Sequence, residues 1–138
     1  MGSKPDIHKA AGVLIKDRKF LVARSNGKDI FVSPGGKLEG DETPAAALVR
    51  ELHEELGIVV EREDLVLLGT FYADAAGMVN TRIQIDTYIV GQWSGDIAPS
   101  HEIEEVMWID SKPPGGVKIG SIFEHEVLPR LKAADLID

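Results

Sequence analysis

Three glutamates and an arginine lie within six residues of each other, at a spacing that brings them together on a helix. Glu51, Glu54 and Glu55 follow Arg50, and residues three and four positions apart are neighbours on a helical surface. Each like-charge pair at that spacing costs roughly 0.2–0.5 kcal/mol when exposed, and more beside a core, where the effective dielectric is lower. The spacing therefore predicts a positively charged group beside these carboxylates.

The nature of that group follows from the available ligands. Carboxylates are hard oxygen donors, and the chain has no cysteine that would favour a softer metal. The candidates are therefore Mg²⁺ or Mn²⁺. The alternative is a solvated acidic face on which Arg50 pairs with Glu54, and an isolated Glu-Glu doublet is more often of that kind.

The helix that must position these residues has clear start and stop signals. Thr43 can cap the free N–H groups, Pro44 suits the first helical position, and Gly57 suits the end. Apolar residues between them fall on one side and predict the face that packs on a core: Ala45, Leu48, Val49, Leu52 and Leu56. The sequence predicts a helix over Thr43–Gly57 with the glutamates beside its buried face.

The wider pattern resembles a known signature. Gly36, five residues, Glu42, seven residues and then the run RELHEELGI, which ends at Ile58, resemble the Nudix box at every defining position. The resemblance implies a Nudix hydrolase, which splits a nucleoside diphosphate linked to another group by using divalent metals. It also implies an α/β fold, an alpha/beta/alpha sandwich with a mixed sheet, that spans residues 1–138 as a single domain.

The same resemblance assigns roles within the box at residues 36–58. It implies metal ligation by the carboxylates of Glu51, Glu54 and Glu55 and by the carbonyl of Gly36. It makes Arg50 and Glu42 orienting residues, and an Arg guanidinium can hold two carboxylates in a fixed fork. Gly35 and Gly36 suit a close approach to a metal or phosphate, although a simple hairpin turn after Pro34 is an equal interpretation. No cofactor other than Mg²⁺ or Mn²⁺ is implied.

A fifth metal ligand is expected outside the box. The segment SHEIEEVMWID over Ser100–Asp110 is similar to MutT-type enzymes and implies that Glu102 reaches the metal from a loop. Glu104 and Glu105 are the competing candidates. Glu54 is the first choice for the general base, and Glu51 and Glu102 are the alternatives.

Substrate contacts are suggested by three residues outside the metal ligands. Lys37 could reach a phosphate or be a solvated lysine. Arg24 directly follows the second predicted strand, where MutT resembles this chain but has paired arginines; Ser25 comes next here, so the pair is incomplete and purine specificity is not indicated. Tyr72 precedes a predicted loop over Ala73–Asn80 that could border the substrate.

Composition supports a single domain with a small substrate. A net charge of −8 over 138 residues argues against nonspecific binding to nucleic acid. The sequence has no apolar run of membrane-spanning length and no signal-peptide core, and the lack of cysteine suits a reducing cytoplasm. Met1-Gly2-Ser3 is expected to be a cloning remnant. A homodimer through a sheet edge or the C-terminal helix is possible.

Hydrophobic periodicity predicts six strands and a second helix. The expected strands are Lys9–Ile15, Lys19–Ala23, Ile30–Ser33, Leu65–Tyr72, Thr81–Val90 and Val106–Ile109. Helical spacing over Ile119–Leu131 predicts a C-terminal helix that Pro129 kinks.

The predicted activity is that of a MutT-type pyrophosphohydrolase, which converts a (d)NTP or oxidised (d)NTP to the monophosphate and pyrophosphate. ADP-ribose or a nucleotide sugar is the alternative substrate. The alternative from another class is a nonhydrolytic module that senses a nucleotide.

Overall fold

The computed structural model describes residues 5–74 and 80–138. The helices are α1 (Pro44–Leu56) and α2 (Leu128–Ala133), with a 3-10 turn at Arg62–Asp64 and a π-helical segment at Phe123–Val127. The strands are β1 (Ile7–Lys16), β2 (Lys19–Ser25), β3 (Ile30–Phe31), β4 (Gly35–Lys37), β5 (Leu65–Asp74), β6 (Arg82–Val90), β7 (Ile103–Ile109) and β8 (Lys118–Ile119). None of the helices in these ranges is long and apolar enough to cross a membrane.

The main sheet is mixed and has the order β5-β6-β1-β2-β7. One edge of β1 pairs in parallel with β6 from Ile7 to Leu14. Its other edge is divided between two antiparallel partners, with β4 beside Lys9–Ala11 and β2 beside the end of the strand. The division places the Gly35–Gly36 backbone against the middle of the sheet.

A separate hydrophobic core covers each face of this sheet. Alternate side chains of β1 point to opposite faces, so Ala10 and Leu14 belong to one core, and Ala11 and Val13 belong to the other. The first core is completed by Leu48, Leu52 and Leu56 of α1, and the second by Phe123, Val127 and Leu131 near the C-terminus. The arrangement confirms the predicted single-domain α/β/α sandwich.

Helix α1 forms as the local signals predict. The Thr43 hydroxyl accepts a hydrogen bond from the Ala46 N–H at 3.2 Å, and Gly57 ends the helix in the left-handed region at φ 72°. The buried face differs in detail, because it includes Ala47 and Glu55 in place of the expected Ala45 and Val49.

Three other predicted elements differ from the structure. Gly35–Lys37 forms strand β4, not a turn, because it pairs with β1. Ile119 lies in β8, so the predicted C-terminal helix over Ile119–Leu131 starts too early. The strand expected at Val106 begins at Ile103.

The remaining differences lie at Pro129 and after β5. Before Pro129 the chain forms a π-helical segment, in which the Leu128 N–H donates to the Phe123 carbonyl. Proline lacks an N–H and its ring crowds the carbonyl four residues back, so the wider turn accommodates it. The first two residues of the predicted loop at Ala73–Asn80 belong to β5, which continues to Asp74, and residues 75–79 lie outside the described residues.

Candidate active site

Four of the predicted metal ligands line one cleft of about 420 Å³. Glu51, Glu54 and Glu55 come from the second half of α1, and Glu102 comes from the turn before β7. His101 completes the lining. We call this cavity the acidic cleft.

Glu102 reaches the acidic cleft because the segment before it caps the end of α1. The Ser100 N–H donates to the Glu55 carbonyl at 2.9 Å, and the Ser100 hydroxyl donates to the Glu54 carbonyl at 2.5 Å. The Ala98 N–H donates to the Leu56 carbonyl at 2.9 Å. The last carbonyls of a helix have no partner within the helix, so these bonds hold the segment in place. No local sequence signal marks Ser100 for this role, because its partners belong to a distant helix.

The competing acids are held elsewhere. Arg24 Nη1 lies 2.6 Å from Glu104 Oε2, and Arg24 Nη2 lies 3.0 Å from Glu105 Oε1. Neither Glu104 nor Glu105 lines the acidic cleft. The geometry therefore favours Glu102 as the acid that joins the helix glutamates.

The backbone of β4 packs directly against these carboxylates. A Cβ atom at Gly36 would lie 2.6 Å from the carboxyl carbon of Glu51. A Cβ atom at Gly35, where φ is +149°, would lie 2.0 Å from the Ala10 carbonyl oxygen. The Gly35 N–H donates to Glu55 Oε1 at 3.3 Å. At Gly35 only glycine allows the strand to lie this close to β1, and at Gly36 any side chain would displace the Glu51 carboxylate.

Arg50 holds three carboxylates at once. Its Nε and Nη2 donate to the two oxygens of Glu42 at 2.8 and 2.9 Å. Its Nη1 donates to Glu51 Oε1 at 2.9 Å and to Glu54 Oε2 at 3.2 Å, and Nη2 also donates to the Lys37 carbonyl at 3.1 Å. The hydrogen bonds from Arg50 lower the pKa of Glu42 to about 2. Arg50 therefore fixes the orientation of Glu51 and Glu54 from outside the acidic cleft.

Glu55 is the buried member of the set, with 4% of its surface exposed. Burial raises its pKa well above the usual range, and the hydrogen bond and negative charge of Glu51 raise it further. Among the described residues, no basic side chain forms an ion pair with Glu55. A buried acid beside another acid is costly without a positive partner, so the donor set fits a hard divalent cation.

The side-chain orientations do not yet form a complete coordination shell. Within residues 5–74 and 80–138, no three acidic or histidine side chains converge closely enough to ligate one ion. One oxygen of Glu51, Oε1, accepts from Arg50 at 2.9 Å and is thereby turned towards the guanidinium. The ligand roles of the four glutamates and of the Gly36 carbonyl stay predictions.

A second cavity, of about 140 Å³, adjoins the other side of the Gly35–Gly36 backbone. We call it the apolar cavity, because its walls are mainly apolar: Ala10, Ala11, Val32, Ile85 and Phe123. It contains two polar side chains, Lys9 and Ser33. The sequence analysis did not predict it, because its lining comes from four separate parts of the chain.

The three suggested substrate contacts lie outside both cavities. Lys37 is exposed in β4, directly opposite Lys9 of β1. Arg24 is engaged by the acids of β7. Tyr72 is 52% exposed on β5, with the Arg82 guanidinium 4.3 Å from its ring centre. Their roles in substrate binding stay predictions.

Comparison with known proteins gives consistent matches. The family model of the NUDIX domain matches residues 6–118. An 8-oxo-dGTP diphosphatase of Proteus vulgaris is 35% identical over 102 residues, which are 70% of this chain and 87% of that protein. A CTP pyrophosphohydrolase of Escherichia coli K12 is 32% identical over 107 residues, which are 74% of each chain. The solution structure of the E. coli ORF135 protein superimposes with a TM-score of 0.76 at 27% identity and covers 97% of this chain and 96% of that one.

Proposed function

We propose that this chain, which belongs to the Nudix family and is a Nudix pyrophosphohydrolase, acts on a nucleoside triphosphate or an oxidised nucleoside triphosphate. The products are the nucleoside monophosphate and pyrophosphate. The observation that carries the proposal is the position of the Gly35–Gly36 backbone, which lines the apolar cavity and also lies against Glu51 and Glu55 of the acidic cleft. Phosphates with their cation suit the acidic cleft, and a nucleobase suits the apolar cavity.

The acidic cleft would hold the cation. Glu51, Glu54, Glu55 and Glu102 supply oxygen ligands of the kind that Mg²⁺ and Mn²⁺ prefer. When bound, such a cation neutralises charge on the phosphates and lowers the pKa of an attacking water.

Glu54 is the best placed of these residues to take the proton of that water. Its side chain is 42% exposed, whereas that of Glu51 is 13% exposed. One oxygen of Glu54 accepts from Arg50 at 3.2 Å, which orients the carboxylate. Glu51 and Glu102 stay alternative bases.

Two relatives support a nucleoside triphosphate as the substrate class. One is named for 8-oxo-dGTP and the other for CTP, so they agree on a triphosphate and differ in the base. A triphosphate is compared with two alternative substrates, ADP-ribose and nucleotide sugars. The third alternative is nucleotide binding without hydrolysis. The possible homodimer, the exclusion of nucleic acid and the cytoplasmic location stay predictions.

The test is a comparison of substrate classes. Purified protein with Mg²⁺ is given dNTPs, 8-oxo-dGTP, ADP-ribose and a nucleotide sugar, and kcat/KM is measured for each. We expect the highest value for a triphosphate, with the monophosphate as the product. A higher value for ADP-ribose or a nucleotide sugar would overturn the proposed substrate class, and tight nucleotide binding without turnover would favour the sensor.

Replacing Arg50 with Lys is expected to lower kcat/KM by about 10- to 100-fold, the range typical of residues that orient metal ligands. A single ammonium keeps the positive charge but cannot donate to three carboxylates in fixed directions. Arg18→Lys is the matched control, because Arg18 also bridges two acids, Asp135 and Asp138, but lies outside the acidic cleft. Equal losses in the two variants would refute a special role for Arg50.

A further inference from the structure

The apolar cavity contains two polar groups that lack partners within the protein. Ser33 is 4% exposed, and its hydroxyl has no hydrogen-bond partner among the described residues. Lys9 is half-buried, and within the same residues its ammonium takes part in no hydrogen bond or ion pair. Both side chains line the cavity. A buried hydroxyl without a partner and an unpaired ammonium in the same small apolar cavity indicate a ligand that bonds to both.

The position of Lys9 follows from the register of the sheet. Lys9 lies on β1 opposite Lys37, next to the Ala10–Gly36 pair, and its side chain shares a sheet face with Ala11 and Val13. Burial lowers the pKa of Lys9 and the charge of Lys37 lowers it further, whereas the negative charge of Glu102 raises it. Lys9 lines the apolar cavity and not the acidic cleft, so we take a ligand in the apolar cavity as its partner, and contact with a phosphate in the cleft is the alternative.

The chemistry of the two side chains restricts the ligand. A lysine ammonium has three N–H donors and no acceptor, whereas a serine hydroxyl can donate or accept. A nucleobase that presents a carbonyl oxygen to Lys9 would satisfy the charge. A base that presents an exocyclic amino group at the same place would leave two donors facing each other, with neither paired.

We propose that Lys9, supported by Ser33, selects nucleobases that present a carbonyl oxygen in the apolar cavity over bases that present an amino group there. The inference rests on the proposed function, because it takes the apolar cavity as the site of the base. It adds a specificity-determining residue to that site.

The test uses pairs of substrates that differ only at one edge of the base. In dITP and dATP the purine carries a 6-oxo or a 6-amino group, and in dUTP and dCTP the pyrimidine carries a 4-oxo or a 4-amino group. We expect the wild type to prefer the oxo member of the pair that it hydrolyses faster. Lys9→Met is expected to reduce that preference, measured as a ratio of kcat/KM values, by about tenfold or more, as for loss of a hydrogen bond from a charged donor.

Controls separate this role from folding and from phosphate binding. Lys16→Met makes the same change at an exposed position on the same strand and is expected to leave the ratio unchanged. The Tm of Lys9→Met should not fall, because Lys9 makes no bond that the variant loses. Ser33→Ala should also keep its Tm and weaken binding of the oxo base severalfold.

Three results would overturn the inference. The first is that the wild type does not prefer the oxo substrate. The second is that Lys9→Met leaves the ratio of kcat/KM values unchanged. The third is that Lys9→Met lowers kcat/KM equally for all substrates, which would place Lys9 on a phosphate. Binding of dIMP and dAMP is measured in parallel, with the same expected preference and the same loss in Lys9→Met. The role of Lys9 is therefore tested even if no triphosphate is hydrolysed, a result that would refute the proposed function instead.

Discussion

Replacing Glu54 with Gln is expected to lower kcat by about 10²-fold or more, the effect of losing a general base. Gln has nearly the same shape but cannot take a proton from water, and it is a poorer ligand for a divalent cation. The fold should be unaffected, because the Glu54 side chain is 42% exposed and the loss of its negative charge relieves repulsion among neighbouring carboxylates. Steady-state kinetics with a triphosphate and thermal unfolding of the same samples measure both effects.

Glu104→Gln is the matched control for Glu54→Gln. It makes the same chemical change on β7, at a residue that pairs with Arg24 outside the acidic cleft, and its turnover should stay near that of the wild type. If Glu54→Gln kept near-normal turnover, Glu54 would be excluded as the base, and Glu51 and Glu102 would be tested in the same way.

Replacing Gly35 with Ala is expected to have the largest effect on stability. The new Cβ would lie 2.0 Å from the Ala10 carbonyl oxygen and 2.9 Å from the Ala11 Cα, so it clashes with rigid backbone at the centre of the sheet. Strain at this φ and overpacking each cost about 1–3 kcal/mol, which together correspond to a fall in Tm of roughly 10 °C or more. Activity should fall as well, since the Gly35 N–H contacts Glu55.

Gly115→Ala provides the comparison for this substitution. A Cβ atom there would meet nothing within 4 Å, and the backbone is not in the left-handed region, so the free energy of unfolding should stay within about 0.5 kcal/mol of the wild type. If differential scanning calorimetry found equal Tm values for the two variants, the close packing of β4 against β1 would be wrong.

The sequence predicted the parts of the site that depend on local signals. The ends of α1 at Thr43 and Gly57 and the grouping of Glu51, Glu54 and Glu55 all follow from short-range periodicity and capping. The choice of Glu102 over Glu104 and Glu105 could not be made locally, because it depends on the bonds between Ser100 and the end of α1.

The features that the sequence did not predict depend on contacts between distant segments. Gly35–Lys37 has the composition of a turn and becomes a strand only because half of one edge of β1 is available to it. The apolar cavity joins Lys9, Ser33, Ile85 and Phe123, which no local pattern connects. Glu55 is fully buried for the same reason, since β4 lies directly over it.

The most direct test of the central claim is the release of pyrophosphate from the best triphosphate substrate by wild-type protein, first with a chelator and then with added Mg²⁺. We expect no release with the chelator, full recovery with Mg²⁺ or Mn²⁺, and equal amounts of monophosphate and pyrophosphate. Equal rates with and without the chelator, or orthophosphate in place of pyrophosphate, would contradict it.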